Sequence, residues 1–400
     1  MSDTTAPSRA SYGTVTKTFH WLTALLIITV IPLGVIANDL PYETNEQLAF
    51  KAQLFSIHKT LGVIIFAVAL ARILWALTQT KPGPMHPDRR AETLLADIVH
   101  WLLYVSLVAV PLTGWIHHAA TEGFAPILLP IGQNLPFVPD DESVAKLFGG
   151  LHWVWSKIMV ASILLHILGT LKHHIIDKDA TLRRMWFGKA DLPATGWHKA
   201  NPTAAILAIG IYAVVTAGGA MAGFYQSKEV VAVAALEDVT SDWAVQEGEI
   251  ALTITQFGNP VSGSFADWTS SISFDENADG VMGDVTTTIA IGSLSLGSVT
   301  GQALGADFFA AEAFPTATFT GEITRAETGY VADGTLTIRD NSVPVTLPFT
   351  LDLDGDTARM EGAVTLDRRD FGIGQSMADE TNLAFAVEVN IALTATRASE

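Results

Sequence analysis

Apolar residues run along the chain in two different rhythms. Before Tyr225 there are five stretches of about 20 mostly apolar residues, the length that crosses a bilayer. They cover Phe19–Ala37, Leu54–Leu77, Leu94–Ile116, Val154–Ile176 and Thr203–Tyr225. After Tyr225 the runs are short and alternate apolar with polar, rich in Val, Ile, Thr and Phe and broken by Gly, Asp and Asn. Examples are 249–257, 283–291, 316–323, 334–340 and 382–395. The first rhythm predicts five transmembrane helices. The second predicts an antiparallel β sandwich or barrel. The segment 304–321 stands apart and predicts a short helical excursion ending at Pro315, then a strand. The first apolar stretch is not expected to be a cleaved leader. It is long enough to span, starts with His20 and Trp21, and is followed by no clear small-x-small cleavage site.

Charge follows the same division. Residues 1–224 hold 16 Lys and Arg against 14 Asp and Glu, while residues 225–400 hold 7 against 27. An acidic second half excludes nucleic acid as a partner, because phosphate binding needs basic surfaces. Basic residues mark the cytoplasmic side of a membrane protein. Arg9 and Lys17 precede the first span, Lys81, Arg89 and Arg90 separate the second from the third, and Lys172, Lys178, Arg183, Arg184 and Lys189 follow the fourth. The other two loops lean acidic, with Asp39, Glu43 and Glu46 in one and Glu122, Asp140, Asp141 and Glu142 in the other. The expectation is a bacterial inner-membrane protein with a cytoplasmic N-terminus and a periplasmic C-terminal half. The expected domains are a helical bundle over 1–190, a linker with the fifth span over 191–228, and a β-barrel over 229–400.

With no cysteine, disulfides, thiolate metal sites and thioether-linked haem are all excluded. All 11 histidines lie at or before His198. His152 and His166 are 14 residues apart, so on one helix they sit about 21 Å apart and within roughly 40° of the same face. Depth pairs His58 with His152 near the periplasmic side and His20 with His166 near the cytoplasmic side. Each pair has the donors to clamp a haem iron between helices, leaving no position for oxygen, as suits electron transfer. Against this, a single His near a span end can simply sit among lipid headgroups. His100 and His117 fall on different faces of span three and do not repeat the spacing. His173 and His174 are expected to cap a helix or to meet haem propionates or lipid phosphate, and His86 and His198 to be solvated. Arg72 either snorkels to the surface or partners a haem propionate.

The strings KTFHWL (17–22), SIHKTLG (56–62), LHW (151–153) and LLHILGTLKHHIIDKDATLRRM (164–185) resemble the bacterial cytochrome b561 family over about residues 10–190. The resemblance implies a four-helix bundle with two b haems ligated by His20, His58, His152 and His166. It also implies exchange of electrons with the quinone pool and, in some members, electron uptake from periplasmic donors such as superoxide. Span five lies outside that core and reads as an added tether, whose Gly218, Gly219 and Gly223 permit close packing. Farther on, LGADFFAAEAFPTATFTG (304–321), LTIRDNSVPVTLPF (336–349) and LDRRDFGIG (366–374) resemble the YceI-like family over about 240–398. That resemblance implies a lipocalin-like antiparallel barrel holding a polyisoprenoid lipid, with ubiquinone as one candidate. Where the family often has His-x-Gly, this chain has Gln256-Phe257-Gly258. A barrel of about eight strands is just wide enough for one small ligand. Trp268, Phe308, Phe309, Phe314 and Phe319 are candidates to line it, each weighed against an ordinary core role.

The fold expected is thus a membrane all-α four-helix di-haem bundle with a fifth transmembrane helix, followed by an all-β lipocalin-like barrel. Two other functions compete. A tethered lipid carrier without a redox role needs one span rather than five. A proton-coupled transporter wants acidic residues in mid-span. Spans one, two, four and five have none, and span three has only Asp97 near its end.

Overall fold

The computed structural model describes residues 11–121, 124–187, 192, 195–198, 201–226 and 232–398. Arg9, Glu122 and Lys189, and the expected boundaries at 190/191 and 228/229, lie outside them. The chain forms two compact units. One comprises 1–39, 54–120 and 126–227, the other 40–53, 121–125 and 228–400.

Among the described residues, five helices are long and apolar enough to cross a membrane. They are α1 (Thr14–Asp39), α2 (Asn45–Leu77), α3 (Arg90–Ala119), α4 (Glu142–Lys172) and α5 (Pro202–Met221). The first four extend past the apolar stretches by polar turns, because hydropathy marks only the part suited to lipid while caps set the helix ends. Asp141 caps α4 by accepting from the Val144 N–H at 2.9 Å. Asn201 caps α5 by accepting from the Thr203 N–H, with Pro202 at the first helical position, where no N–H is needed. Helix α4 runs on into a π-helical turn, His173–Asp177, and stops at Lys178, whose φ is 54°.

Ile27 and Val30 of α1, Ile65 and Ala69 of α2 and Leu107 of α3 form one buried cluster. Leu102 of α3, Ile158 of α4 and Ala208 and Tyr212 of α5 form another. Helix α5 therefore packs on the bundle. Tyr212 shares a 2.6 Å hydrogen bond with Ser106, and the Trp155 indole donates to Thr216 Oγ1 at 2.9 Å. Of the three glycines expected to allow this, Gly219 does so, since a Cβ there would lie 3.2 Å from Val154. Gly218 has open space, and Gly223 turns the chain at φ 75°. Leu25, Ile28, Leu74, Leu168, Ile206 and Val214 all point outward, the arrangement expected of helices solvated by lipid.

The other unit is built on one antiparallel ten-stranded sheet. Its strands are β1 (Trp243–Gln256), β2 (Asn259–Phe265), β3 (Trp268–Phe274), β4 (Val281–Ala290), β5 (Leu294–Ser295), β6 (Thr316–Arg325), β7 (Tyr330–Ile338), β8 (Asn341–Asp354), β9 (Thr357–Asp367) and β10 (Leu383–Arg397). Their order is β3-β4-β6-β7-β8-β9-β10-β1-β2-β5. The five alternating runs fall on β1, β4, β6, β7 and β10. The sheet curls until β3 reaches the chain entering β1: the Asp242 N–H donates to Ile272 O at 3.0 Å, and the Ile272 N–H to Ser241 Oγ at 2.8 Å. Alternation sets the two faces. On β8, Leu347 and Phe349 are buried while Thr346, Pro348 and Thr350 are exposed.

The helical excursion before Pro315 is not formed as expected. A 3-10 turn at Gly297–Val299 and one helical turn at Thr300–Ala303 precede it, and 304–314 is a chain of turns with Ala310 at φ 48°. Its hydrogen bonds close locally, Phe309 N–H to Ala303 O and Phe314 N–H to Ala310 O, both at 2.9 Å. Tertiary ties replace helical periodicity. The Gly374 N–H donates to Asp307 O at 2.7 Å, and Arg339 Nη1 donates to Phe308 O at 3.2 Å and to Gly372 O at 2.9 Å.

Candidate functional site

Two imidazole pairs occupy the helical unit. The rings of His58 and His152 are 6.2 Å apart, centre to centre, and those of His20 and His166 are also 6.2 Å apart. A metal–nitrogen bond of about 2 Å plus roughly 1 Å from nitrogen to ring centre, counted from both sides, spans about 6 Å. One iron between each pair therefore fits the spacing.

How the first pair is held follows from two short sequence patterns. Val30, Pro32 and Gly34 lie on α1, and Val110, Pro111 and Gly114 on α3. His58 Nδ1 lies 2.9 Å from Val30 O, and His152 Nδ1 lies 2.8 Å from Val110 O. In each case a glycine sits one turn beyond the carbonyl. A Cβ at Gly34 would meet His58 Cε1 at 2.6 Å, and one at Gly114 would meet His152 Nδ1 at 2.8 Å. The glycine leaves the gap into which the ring leans, and the carbonyl takes the Nδ1 proton. Nε2 is then left with its lone pair, the form that ligates a metal. A proline nearby in each helix interrupts the regular ladder.

The device recurs once more. His117 Nδ1 lies 2.7 Å from Ala145 O, and a Cβ at Gly149 would meet that ring at 3.0 Å. His117 is thus held like a ligand, which helix-face spacing alone does not suggest. Near it, Lys59 Nζ lies 3.0 Å from His118 Nδ1, and His118 is buried. At the other end of the bundle, His100 joins the second pair, its ring 5.2 Å from that of His166. His20 Nδ1 is buried without a hydrogen-bond partner among the described residues. Arg72 lies 5.9 Å from the Tyr104 ring centre.

The closing string of the helical unit has a structural task of its own. Arg184 is buried and donates through Nη1 to Gly83 O at 2.8 Å and through Nη2 to Thr195. Trp21 Nε1 donates to Met185 O at 2.9 Å, and Lys17 Nζ to Trp186 O at 2.7 Å. The string thereby joins the start of α1 to the segment between α2 and α3. His86, expected to be solvated, is 32% exposed. It lies beside His173, Asp177 and Asp179.

The curled sheet encloses a cavity of about 270 Å³, lined almost entirely by apolar side chains. Trp268, Phe308, Phe309 and Phe319 line it. Phe314 does not. It lies beneath the Arg339 guanidinium, 5.9 Å from its ring centre, because the turns before Pro315 rotate it away from the lumen. Polar groups in the lumen are few. Ser270 and Thr287 satisfy one another at 2.9 Å. Arg368 is buried, but its guanidinium donates to the backbone carbonyls of Ala384, Ile373, Gly374, Met377 and Leu383 at 2.6–3.3 Å. Burial pushes the Arg368 pKa down from its ordinary value. Gln256 differs: it is buried, and among the described residues its Oε1 has no partner. In the sequence Gln256 stands out only as a departure from His-x-Gly.

Comparison with known proteins gives two matches along the chain. Residues 11–188 match the family described as prokaryotic cytochrome b561, and residues 243–395 match the YceI-like domain. The chain is 32% identical over 187 residues to cytochrome b561 homolog 2 of Escherichia coli (strain K12), covering 46% of this chain and 95% of the relative. It is 25% identical over 170 residues to a probable superoxide oxidase CybB of Yersinia pestis, covering 42% and 90% respectively. Among solved structures, Burkholderia cenocepacia BcnA is 28% identical with a TM-score of 0.36, covering 37% of this chain and 96% of that one.

Proposed function

The chain belongs to the prokaryotic cytochrome b561 family, a family of multi-pass transmembrane electron carriers, here fused to a YceI-like domain, and on that premise we propose that it moves electrons across the inner membrane through two bis-His b haems. His58 and His152 would hold one haem, and His20 and His166 the other. The observation that carries this reading is the matched 6.2 Å spacing of the two pairs. The carbonyl and glycine cradle around His58 and His152 adds to it. Haem supplies one-electron chemistry when bound. The chain's own part is to present Nε2, fix each ring's rotation and keep the site dry among α1 to α4.

In this reading the N-terminus is cytoplasmic and the sheet domain periplasmic. Electrons are exchanged between the quinone pool and a periplasmic one-electron donor or acceptor, making the chain a quinone-linked oxidoreductase. Superoxide is the donor favoured by the relative from Yersinia pestis. Two superoxide ions each lose one electron and become dioxygen, while one quinone takes two electrons and two protons to become quinol. The lumen would hold an isoprenoid chain, that of ubiquinone or another polyisoprenoid lipid. Its apolar wall suits the chain, and Gln256 Oε1 would accept a hydrogen bond from a hydroxyl on the head group.

Reduced-minus-oxidised spectra of the purified protein, with each of the four histidines replaced by alanine in turn, test the haem assignment. Two haems in the parent and one in each variant are expected. Full haem content in all four variants would overturn it. Mass spectrometry of co-purifying lipid tests the lumen, where a prenyl-chain lipid at near one equivalent is expected.

A further inference from the structure

A second group of chemistry-bearing side chains lies in the helical unit, apart from the paired histidines. It forms where α4 ends in its π-helical turn, a geometry that often marks functional positions. His173 and Asp177 come from that turn, Asp179 from just beyond it, and His86 from the segment between α2 and α3. One ligand atom from each of the four lies within 4.8 Å of all the others. His173 Nδ1 is 2.6 Å from Asp179 Oδ2 and 3.2 Å from Asp177 Oδ2, and His86 Nε2 is 3.2 Å from Asp179 Oδ2. Neighbouring donors around a tetrahedral zinc are about 3.3 Å apart, given metal–ligand bonds of about 2 Å. The rings of His86 and His173 stack at 6.1 Å with their planes 10° apart.

Glu92, Asp177 and Asp179 bring three carboxylates. Lys172 at 2.7 Å and Arg89 at 3.1 Å face Asp177 Oδ2, and the Arg184 guanidinium acts on Asp179. Glu92 Oε1 lies 3.1 Å from His173 Nε2. Asp177 is 9% exposed and Asp179 7%. Lys172 is 34% and Arg89 39% exposed, so both side chains have room to turn into solvent.

We propose that His86, His173, Asp177 and Asp179 form a binding site for a divalent transition cation of the zinc class. Two imidazole nitrogens and two carboxylate oxygens are a donor set that suits zinc. The cation replaces the charge of Lys172 and Arg89 at Asp177. The site ties the end of α4 to the segment between α2 and α3, next to the Arg184 contact with Gly83.

The test uses the full-length protein in detergent, stripped with chelator and titrated with zinc chloride by calorimetry. One saturable equivalent is expected. His86→Asn and His173→Ala should each weaken it at least about tenfold, since even outer-shell partners carry that much. Lys172→Gln should tighten it several-fold by removing the cation that competes for Asp177. An ordinary ion-pair network predicts no such gain. If His173→Ala fails to fold, the opposite signs of His86→Asn and Lys172→Gln still decide the matter. Absence of a saturable equivalent, parental affinity in His86→Asn, or unchanged or weaker binding in Lys172→Gln would each overturn the proposal.

Discussion

The helical unit and the sheet unit use buried polar atoms in opposite ways. In the bundle, a few imidazoles are each clamped by one carbonyl, with a glycine gap behind the ring and a single nitrogen left open. In the sheet, the wall of the lumen is apolar over dozens of atoms. The buried Arg368 cation is consumed by five carbonyls, and the Gln256 acceptor is left open. Binding in the first depends on a handful of atoms at fixed distances. In the second it is spread over a surface, with one atom for selection. The two units should therefore respond differently to substitution.

The largest contrast comes from the clamped imidazoles. His58→Ala and His152→Ala should each abolish the same one of two haem signals and leave the other, read by difference spectroscopy and pyridine haemochrome content. If either substitution removed both signals, or neither, the pairing would be broken. Next is Arg368→Ala, which leaves carbonyls of the 373–384 corner buried without a donor. The cost is about 3 kcal/mol or more, because unsatisfied buried polar groups are each expensive. Hydrogen exchange should speed up across 366–384 in the full-length protein while α1 to α4 keep their protection.

A smaller effect is expected at the open acceptor. Gln256→Leu should lower affinity for a prenyl alcohol by about tenfold, one hydrogen bond's worth. It should leave affinity for the matching hydrocarbon unchanged, as measured by fluorescence displacement. The smallest effect belongs to the wall. Phe309→Leu removes about one methylene's volume from a wall of many contacts and should change affinity by less than about tenfold, since a buried methylene is worth about 0.8 kcal/mol. A large loss from Phe309→Leu would make the lumen a shaped site like the bundle and erase the contrast.

Much of the bundle is legible in the amino-acid sequence alone. The apolar stretches locate all five long helices, and the 14-residue step from His152 to His166 places two imidazoles on one face. These signals are local or strictly periodic. The cradle of Val30 and Gly34 around His58 is hidden there, because it depends on which helix lies beside which. The partners of His86 are hidden for the same reason, since they are about ninety residues away along the chain. In the sheet, alternation shows which side chains point inward on a strand, so Phe319 and Trp268 are legible. Phe314 is not, because turns held by tertiary hydrogen bonds obey no period. Gln256 is visibly unusual in the sequence, but only burial without a partner gives it a meaning.

Strand β1 pairs along most of its length with β10, from Trp243 opposite Arg397 to Gln256 opposite Leu383. The first strand of the sheet therefore waits for the last. A ribosome still short of β10 presents a β1 with one edge bare, the kind of template that invites association with other chains. Pairing so distant in sequence is slow to form. The lumen is fully walled only after synthesis has passed Arg397. A nonsense mutation anywhere in the last strand should then yield an aggregation-prone protein rather than a slightly shortened one.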